Sequence, residues 1–253
     1  MMKTKIIYED DQVFVCHKPA GLATQTARVG QADMVTELKS YLARQARGLQ
    51  KTGKGGSGVT GGKGGDAPYL GVVHRLDQPV EGLLVFAKTK LAAAKLTAQL
   101  SKGILNKQYY AVICGQPEAE SGELVDYLVR DAQAGVAQVV NGNEERLPEA
   151  KKAVLQYQVV RRITTPEALV LLDIHIDTGR FHQIRAQMSH AGMPLLGDSK
   201  YGTECVRHKS IQLWVRNAAL CAYKIGFIHP LTGKFMEFEI QPEGNAFSFF
   251  TGD

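Results

Sequence analysis

The stretch from Val72 to Lys88, VVHRLDQPVEGLLVFAK, places a charged segment between two apolar runs. A turn that contains proline follows the charged segment, and Gly82 closes that turn. A strand that carries charge at its end and then bends is a common way to hold a reactive carboxylate at the edge of a sheet. Asp77 lies close to His74 and Arg75 in the chain, so the segment offers an acid, an imidazole and a guanidinium. The competing interpretation is a surface pair between Asp77 and Arg75 that has no function.

A second charged cluster lies at Thr178 to Gly192, TGRFHQIRAQMSHAG. Its apolar spacing predicts a helix from Arg180 to His190, and the apolar side of that helix carries Phe181, Ile184 and Met188. Free N–H groups and the helix dipole attract anions to a helix N-terminus. The polar side chains expected there are Arg180, His182, Gln183 and Arg185. The cluster predicts capture of a carboxylate or phosphate, and the alternative is a surface helix with ordinary charges.

The composition is that of an ordinary globular protein with a mild basic bias, since 44% of the 253 residues are hydrophobic, 22% are charged and the net charge is +5. This bias favours an acidic partner such as nucleic acid. The four cysteines stand far apart without a CxxC pair. That spacing argues against a disulfide framework or a zinc ribbon and favours free thiols in a reducing cytoplasm. No apolar run approaches the ~20 residues of a membrane span, so no membrane association is expected.

Residue periodicity predicts short strands with a few helices between them. One hairpin is expected over Lys5 to Lys18, and a second joins Lys151–Arg162 to Ala168–Asp177. Helices are expected from Met34 to Gln45 and from the N-cap Thr89 through Ser101.

Aromatic residues mark two further segments. The strand expected at Asn106 to Gly115 carries Tyr109 and Tyr110 on opposite faces, and one of them is expected to face a bound ligand unless both belong to the core. The segment Gln212 to Phe227 contains Trp214 and is expected to contribute to the core.

A glycine-rich segment at about residues 46–67 is predicted to be a flexible insertion. Its lysine and arginine residues would contact a phosphate backbone or remain solvated. The run Gly48 to Lys54, GLQKTGK, nearly fits a phosphate-binding P-loop, but Gly55 stands where Ser or Thr is required. Neither a preceding strand nor a following helix is predicted, so an ATPase, a GTPase and a bound nucleotide cofactor are excluded.

The ordered motifs of the chain resemble those of the RluA-type RNA pseudouridine synthases. HRLD followed by GLLVFAK resembles the catalytic motif of that family, KQYYA resembles its second motif, and GRFHQIR with GMPLLGDSKYG resembles its third. HKPAG near the start and HPLTG near the end match flanking elements. The segments are 74–77, 82–88, 107–111, 179–185, 192–202, 17–21 and 229–233. The similarity covers nearly the whole chain in the expected order.

The resemblance implies a role for each matching residue. Asp77 would be the essential aspartate, Tyr109 would stack on the target base, and Arg185 would pair with Asp77 within salt-bridge reach in a cleft. Arg75 would enter the RNA stack where the target uridine is flipped out. The wider set implied to bind RNA is Arg75, His74, Lys18, Arg180, His182 and Gln183. No metal or cofactor is implied.

The chain departs from the family pattern at three places. Val80-Glu81 stand where Thr-Ser is frequent, His17 stands where Asn is common, and Cys221 replaces a histidine. These departures leave open the branch of the family and the RNA. An N-terminal S4-type RNA-binding domain is not expected, because the first matching motif begins within twenty residues of Met1.

We therefore expect an α+β fold with a mixed, mostly antiparallel central sheet, helices and loops on its faces, and one pseudouridine synthase catalytic domain over residues 1–253. The expected reaction isomerises a specific uridine to pseudouridine in a stem-loop of ribosomal or transfer RNA, with base flipping. Asp77 would act as nucleophile or as base. A cytoplasmic monomer is expected. The alternatives are a non-catalytic RNA-binding protein with the same fold and a carboxylate hydrolase, which lacks a matching second acid.

Overall fold

The computed structural model describes residues 2–28, 30–51, 68–140, 147–164 and 168–251. Contacts divide the chain into two compact units: unit 1 comprises Met1–Asn106 and Ile225–Glu239, and unit 2 comprises Lys107–Lys224 and Ile240–Asp253. The single catalytic domain over residues 1–253 stays a prediction. Most of the predicted glycine-rich insertion at 46–67 lies outside the described residues.

The described elements alternate between strands and short helices. In chain order they are β1 (Lys5–Glu9), β2 (Val13–Lys18), α1 (Met34–Lys51), β3 (Gly71–Val72), β4 (Glu81–Ala87), α2 (Lys90–Ser101), β5 (Asn106–Cys114), β6 (Ser121–Asp131), β7 (Val136–Val139), a 3-10 helix (Leu147–Glu149), β8 (Lys151–Ile163), β9 (Leu169–Ile176), α3 (Gln183–His190), α4 (Glu204–Gln212), β10 (Leu220–Ile228), β11 (Phe235–Glu239) and α5 (Asn245–Ser248). Within the described ranges, no helix is long and apolar enough to cross a membrane.

Strand pairing is mostly antiparallel, as predicted. The pairs β1–β2, β2–β4, β5–β9 and β8–β9 all run antiparallel, whereas the isolated bridge between Ala23 and Asp33 is parallel. Helices accompany the strands in both units. The predicted α+β class is confirmed.

The centre of unit 1 is formed by β2 and β4. Every residue of both strands is buried, and Phe14 lies opposite Phe86 in their register. A strand covered on both faces needs a continuous apolar run, and both strands carry one. β1 pairs with the other edge of β2, which confirms the first predicted hairpin.

The helices of unit 1 begin at capping side chains. The backbone N–H of Ala92 donates to the Thr89 hydroxyl at 3.1 Å, which confirms Thr89 as the N-cap of α2. The backbone N–H of Thr36 donates to Asp33 Oδ1 at 2.7 Å at the start of α1. α1 continues to Lys51, six residues beyond its predicted end. Good helix formers dominate this extension, and the single glycine within it costs only about 1 kcal/mol.

Unit 2 contains a five-strand arrangement in the order β5-β9-β8-β6-β7. The neighbours β8 and β9 pair antiparallel over Leu155 to Ile163, with Tyr157 opposite Ile174. The second predicted hairpin is therefore confirmed. β9 is also paired with β5, which sets Tyr109 opposite Ile174 from the other side.

Two predictions for unit 2 are wrong. The helix expected from Arg180 begins at Gln183, because His182 adopts a left-handed backbone with φ 52° that a right-handed helix cannot include. The Gln183 side chain accepts the Arg180 backbone N–H at 3.0 Å in the turn before the helix. Phe181 therefore precedes the helix and is 37% exposed. Trp214 was expected in the core and is 71% exposed, because the chain turns at the end of α4 with a left-handed backbone at this residue.

Gly197 and Gly103 offer a matched test of packing in the fold. Both have positive φ, but a Cβ at Gly197 would overlap the carbonyl oxygen of Asn217, whereas a Cβ at Gly103 meets nothing within 4 Å. We expect Gly103→Ala to lower the free energy of unfolding by about 1 kcal/mol and Gly197→Ala by about 3 kcal/mol or more. Urea unfolding measures both, and equal losses would contradict the overlap.

Candidate active site

The HRLD segment is held by a reciprocal hydrogen-bond pair with Thr24. The Thr24 hydroxyl donates to the Leu76 carbonyl oxygen at 3.0 Å and accepts the Leu76 N–H at 3.2 Å. Thr24 and Leu76 are both buried. Leu76 stands between Arg75 and Asp77, so fixing both of its backbone polar groups also restricts the residues on either side.

His74 completes the edge of β4 where β3 ends. β3 pairs with β4 up to Val72 opposite Phe86, and the next N–H along β4, that of Val85, donates to His74 Nε2 at 3.3 Å. His74 is 7% exposed. Because Nε2 accepts this hydrogen bond, a neutral His74 carries its proton on Nδ1. The His74 ring thus accepts the Val85 N–H at the point where pairing with β3 has ended.

Lys18 is a buried ammonium that joins two loops. Its Nζ donates to the carbonyl oxygens of Pro19 at 3.2 Å, Leu22 at 2.7 Å and Gln78 at 3.0 Å. Three acceptors match the three hydrogens of an ammonium group. Lys18 is fully buried. It therefore ties the loop after β2 to the turn that follows Asp77.

Burial and charge act in opposite directions on Lys18. Burial lowers the pKa of Lys18 to about 7, while the negative charges of Asp77 and Glu81 act to raise it. Asp77 and Glu81 are therefore close enough to Lys18 for their charges to act on it.

Glu81 places a second buried carboxylate in unit 1. His17 Nε2 lies 3.8 Å from Glu81 Oε2, and the two side chains are 3% and 5% exposed. These are two of the three positions at which the sequence departs from the family pattern. The two departures thus form one contact between neighbouring strands.

Arg185 of α3 is held in unit 2 by Asp198. Its Nε and Nη2 donate to the two Asp198 carboxylate oxygens, each at 2.7 Å, and both side chains are almost fully buried. The carboxylate also accepts the backbone N–H groups of Lys200 and Tyr201. The predicted pairing of Arg185 with Asp77 stays a prediction, because these two residues belong to different units.

The pKa of Asp198 reports the balance of these contacts. Burial alone would raise the pKa, but hydrogen bonds and the charge of Arg185, with help from the Lys200 and Tyr201 backbone, lower it below its ordinary value. Asp198 therefore stays ionised at neutral pH. The sequence signal for it was the GDSKYG loop, whose aspartate had been given no role.

His182 adopts a left-handed backbone with φ 52° immediately before α3. Its ring stacks on Phe181 at 3.8 Å, and Nδ1 lies 2.8 Å from the Tyr201 hydroxyl. That hydroxyl accepts the Ala137 N–H at 2.6 Å, so its own hydrogen is available for His182 Nδ1. Arg130 lies over the Phe181 ring at 4.6 Å, which makes a column of guanidinium, phenyl and imidazole.

Arg180 and Gln183 differ in their exposure. Arg180 is exposed, and its Nε donates to the Lys152 carbonyl oxygen at 2.9 Å. Gln183 is buried; its Oε1 accepts from the Thr178 hydroxyl at 2.8 Å and its Nε2 donates to the Val154 carbonyl oxygen at 3.0 Å. Gln183 therefore shapes the turn that leads into α3.

Tyr109 and Tyr110 occupy neighbouring positions of β5 and hence opposite faces of it. Tyr109 is 4% exposed. Tyr110 stacks on Tyr223 with ring centroids 3.8 Å apart, and the Tyr223 hydroxyl donates to Asp173 at 3.1 Å. Tyr110 thus belongs to the internal packing of unit 2.

Comparison with known proteins connects these motifs with one activity. A family model described as RNA pseudouridylate synthase matches residues 12–190. Ribosomal large subunit pseudouridine synthase D of Zymomonas mobilis is 33% identical over 243 residues, which cover 94% of this chain and 68% of that protein. The uncharacterized RNA pseudouridine synthase YlyB of Bacillus subtilis is 32% identical and covers 94% of this chain, which spans 69% of YlyB.

Two solved human structures share the fold. RNA pseudouridylate synthase domain containing 4 has a TM-score of 0.69 at 21% identity and covers 96% of this chain and 92% of its own. RNA pseudouridylate synthase domain containing 1 has a TM-score of 0.70 at 17% identity, with 95% and 84% covered.

The chain belongs to the RNA pseudouridylate synthase family. It is accordingly an isomerase that converts uridine in RNA to pseudouridine, as the motifs predicted. The sequence-based prediction of the reaction is confirmed, and the alternatives of a non-catalytic binder and of a hydrolase are not supported by these comparisons.

The Arg185–Asp198 pair predicts a specific acid sensitivity. The pKa of Asp198 is lowered on folding, so its contribution to stability is complete above its unfolded pKa and is lost as the pH falls through its folded pKa. We expect Asp198→Asn to lower the free energy of unfolding by about 3–5 kcal/mol at neutral pH. The difference from wild type should shrink below about pH 4. Urea titrations at several pH values measure this, and a constant difference would contradict it.

Lys18 predicts a rise in stability with pH in a second, more alkaline interval. Its folded pKa of about 7 lies below the ordinary 10.5, so the unfolded chain holds more protons between these values. Stability must then rise with pH over that interval. We expect the free energy of unfolding of wild type, relative to Lys18→Met, to increase between about pH 7 and about pH 10. The control is Lys102→Met, at an exposed lysine. If the difference in unfolding free energy from wild type does not change with pH for either variant, the lowered pKa of Lys18 is refuted.

Proposed function

We propose that this enzyme modifies a specific uridine of large-subunit ribosomal RNA, with Asp77 as its catalytic carboxylate. The observation that carries the assignment of Asp77 is the fixation of its loop by Thr24 on one side and by Lys18 on the other. Asp77 is only partly buried, whereas Leu76 before it and Thr24 beside it are buried. A rigidly held carboxylate at an accessible position is what attack or proton abstraction requires.

The choice of ribosomal RNA rests on the relatives. The Zymomonas mobilis protein is named for the large ribosomal subunit. Further relatives from Pasteurella multocida and Pseudomonas aeruginosa carry the same name. Transfer RNA, the other substrate class that the sequence left open, has no such support among these names.

The reaction breaks the N1–C1′ bond of the uridine, turns the base and joins C5 to C1′. The C5 proton is lost and N1 gains one, so the product is an isomer of the substrate. Asp77 must be ionised either to attack as a nucleophile or to take a proton. Lys18 directs its three hydrogens at carbonyl oxygens, so it acts on this region through its charge and through the backbone that it holds.

Arg185 is proposed to pair with Asp77 and to fix its direction. The bidentate contact with Asp198 uses two of the five N–H donors of the guanidinium and sets its plane. A planar cation held in this way suits a second carboxylate. Tyr109 is proposed to stack on the flipped uracil.

The RNA contacts are proposed to involve the members of the predicted set that are exposed, Arg75 and Arg180, or partly exposed, His182. Arg75 would fill the space left by the flipped base, and Arg180 and His182 would contact phosphates. Lys18, His74 and Gln183 are buried, and the hydrogen bonds described above run to other protein groups, so we propose that they position loops instead. We further propose that the enzyme acts as a monomer in the cytoplasm.

Asp77→Asn tests the catalytic assignment. We expect turnover to fall by roughly 10²–10⁴-fold or more, because the amide can neither attack nor take the proton. Pseudouridine is mapped chemically in total RNA from cells that lack the gene, complemented with wild type, Asp77→Asn or the exposed control Asp11→Asn. A site that returns with wild type and Asp11→Asn alone supports both the activity and its aspartate.

Two results would overturn the proposal. If Asp77→Asn restores every site, Asp77 is not the catalytic carboxylate. If the restored site lies outside ribosomal RNA, the substrate assignment fails while the enzyme activity stands. Urea unfolding and RNA binding of Asp77→Asn establish that the variant is folded.

A further inference from the structure

A groove of about 460 Å³ lies beside α4 in unit 2. Its volume falls within the range of roughly 300–1,000 Å³ that is typical of small-ligand sites. Trp214 and Ile211 line it and are 71% and 75% exposed. Together they leave a large apolar surface open to solvent at the end of a short helix.

The backbone of Trp214 is strained. Its φ is 56°, a left-handed conformation that is unfavourable for a bulky residue. The Trp214 N–H donates to the Ile211 carbonyl oxygen at 3.1 Å, and the Val215 N–H donates to the Ser210 carbonyl oxygen at 2.8 Å. This geometry ends α4 at a position where glycine is usual. Folding alone therefore does not explain a tryptophan here, and strained residues of this kind often serve function.

The charges exposed at the groove are positive. Arg207 and Arg216 line it and are exposed, and the Arg207 Nε donates to the Gly202 carbonyl oxygen at 3.0 Å. Asp198 also lines the groove, but its carboxylate is buried against Arg185. The acidic residue of α4, Glu204, lies one turn before Arg207 and is not part of the lining.

We propose that this groove binds an unpaired nucleotide of the RNA substrate, with its base stacked on Trp214 and its phosphates near Arg207 and Arg216. This inference rests on the proposed function and adds a second RNA contact to it. Aromatic side chains next to arginines are the usual means of holding single-stranded RNA. An apolar peptide would use the tryptophan but would gain nothing from two arginines, so the charges favour RNA.

The chain offers a direct probe, since Trp214 is its only tryptophan. A short single-stranded oligouridylate and a ribosomal RNA fragment are titrated into the Asp77→Asn protein, in which conversion of the RNA is expected to be strongly reduced. Stacking of a base on Trp214 is expected to quench the indole fluorescence in a saturable manner. Filter binding follows the same titration independently of the fluorophore.

Three variants separate the contacts. Trp214→Gly is expected to weaken binding by about fivefold to a hundredfold, the range for one stacked base, while its melting temperature stays equal or rises because the strain is relieved. Trp214→Phe should keep most of the affinity. Arg216→Ala should weaken binding and make the slope of log K against log salt concentration shallower by about 1. The controls are Leu91→Ala for an exposed apolar group and Lys102→Ala for one charge.

Unchanged fluorescence and unchanged affinity of Trp214→Gly, with an RNA that filter binding shows to be bound, would overturn the inference and leave a protein partner as the explanation. Equal effects of Arg216→Ala and Lys102→Ala would overturn the phosphate contact. Failure of the proposed function would show differently, as the absence of pseudouridine from the RNA of cells that carry the wild-type protein. The two failures are therefore distinguishable.

Discussion

The buried ammonium of Lys18 is the interaction on which the organisation of unit 1 depends. It binds three carbonyl oxygens that belong to two loops, and those of Pro19 and Gln78 also accept backbone N–H groups, from Leu22 and Gly21. Leu22 and Gln78 thereby become neighbours although more than fifty residues separate them. The loop that carries Asp77 takes its position from this contact and from Thr24.

In unit 2 the buried group that organises its neighbours is an anion, the carboxylate of Asp198. Asp198 binds Arg185 through both oxygens and also accepts two backbone N–H groups of its own loop. A side chain from a helix and the backbone of a loop are fixed by one carboxylate. In both units a fully buried charge, surrounded by specific partners, sets the position of a residue implicated in catalysis.

Much of this arrangement could be predicted from the sequence, and each miss has its own physical reason. Continuous apolar runs and alternation identified β2, β4 and the β8–β9 hairpin, because these patterns depend on burial alone. The first residues of the expected helix at Arg180 were wrong, since the left-handed backbone of His182 interrupts the helical geometry and leaves no mark on the apolar spacing. Trp214 was placed in the core because its hydrophobicity outweighed any signal of a left-handed turn. Asp198 was overlooked, since its partner is thirteen residues away in the chain.

The contact between His17 and Glu81 constrains how this protein can change. A single replacement of His17 by an apolar residue would remove one polar neighbour of the buried Glu81 carboxylate, and each polar contact that a buried carboxylate loses is costly. Replacing Glu81 alone would in turn remove the carboxylate that lies 3.8 Å from the buried His17 ring. The two positions are therefore expected to tolerate joint replacement by small neutral residues better than either single replacement.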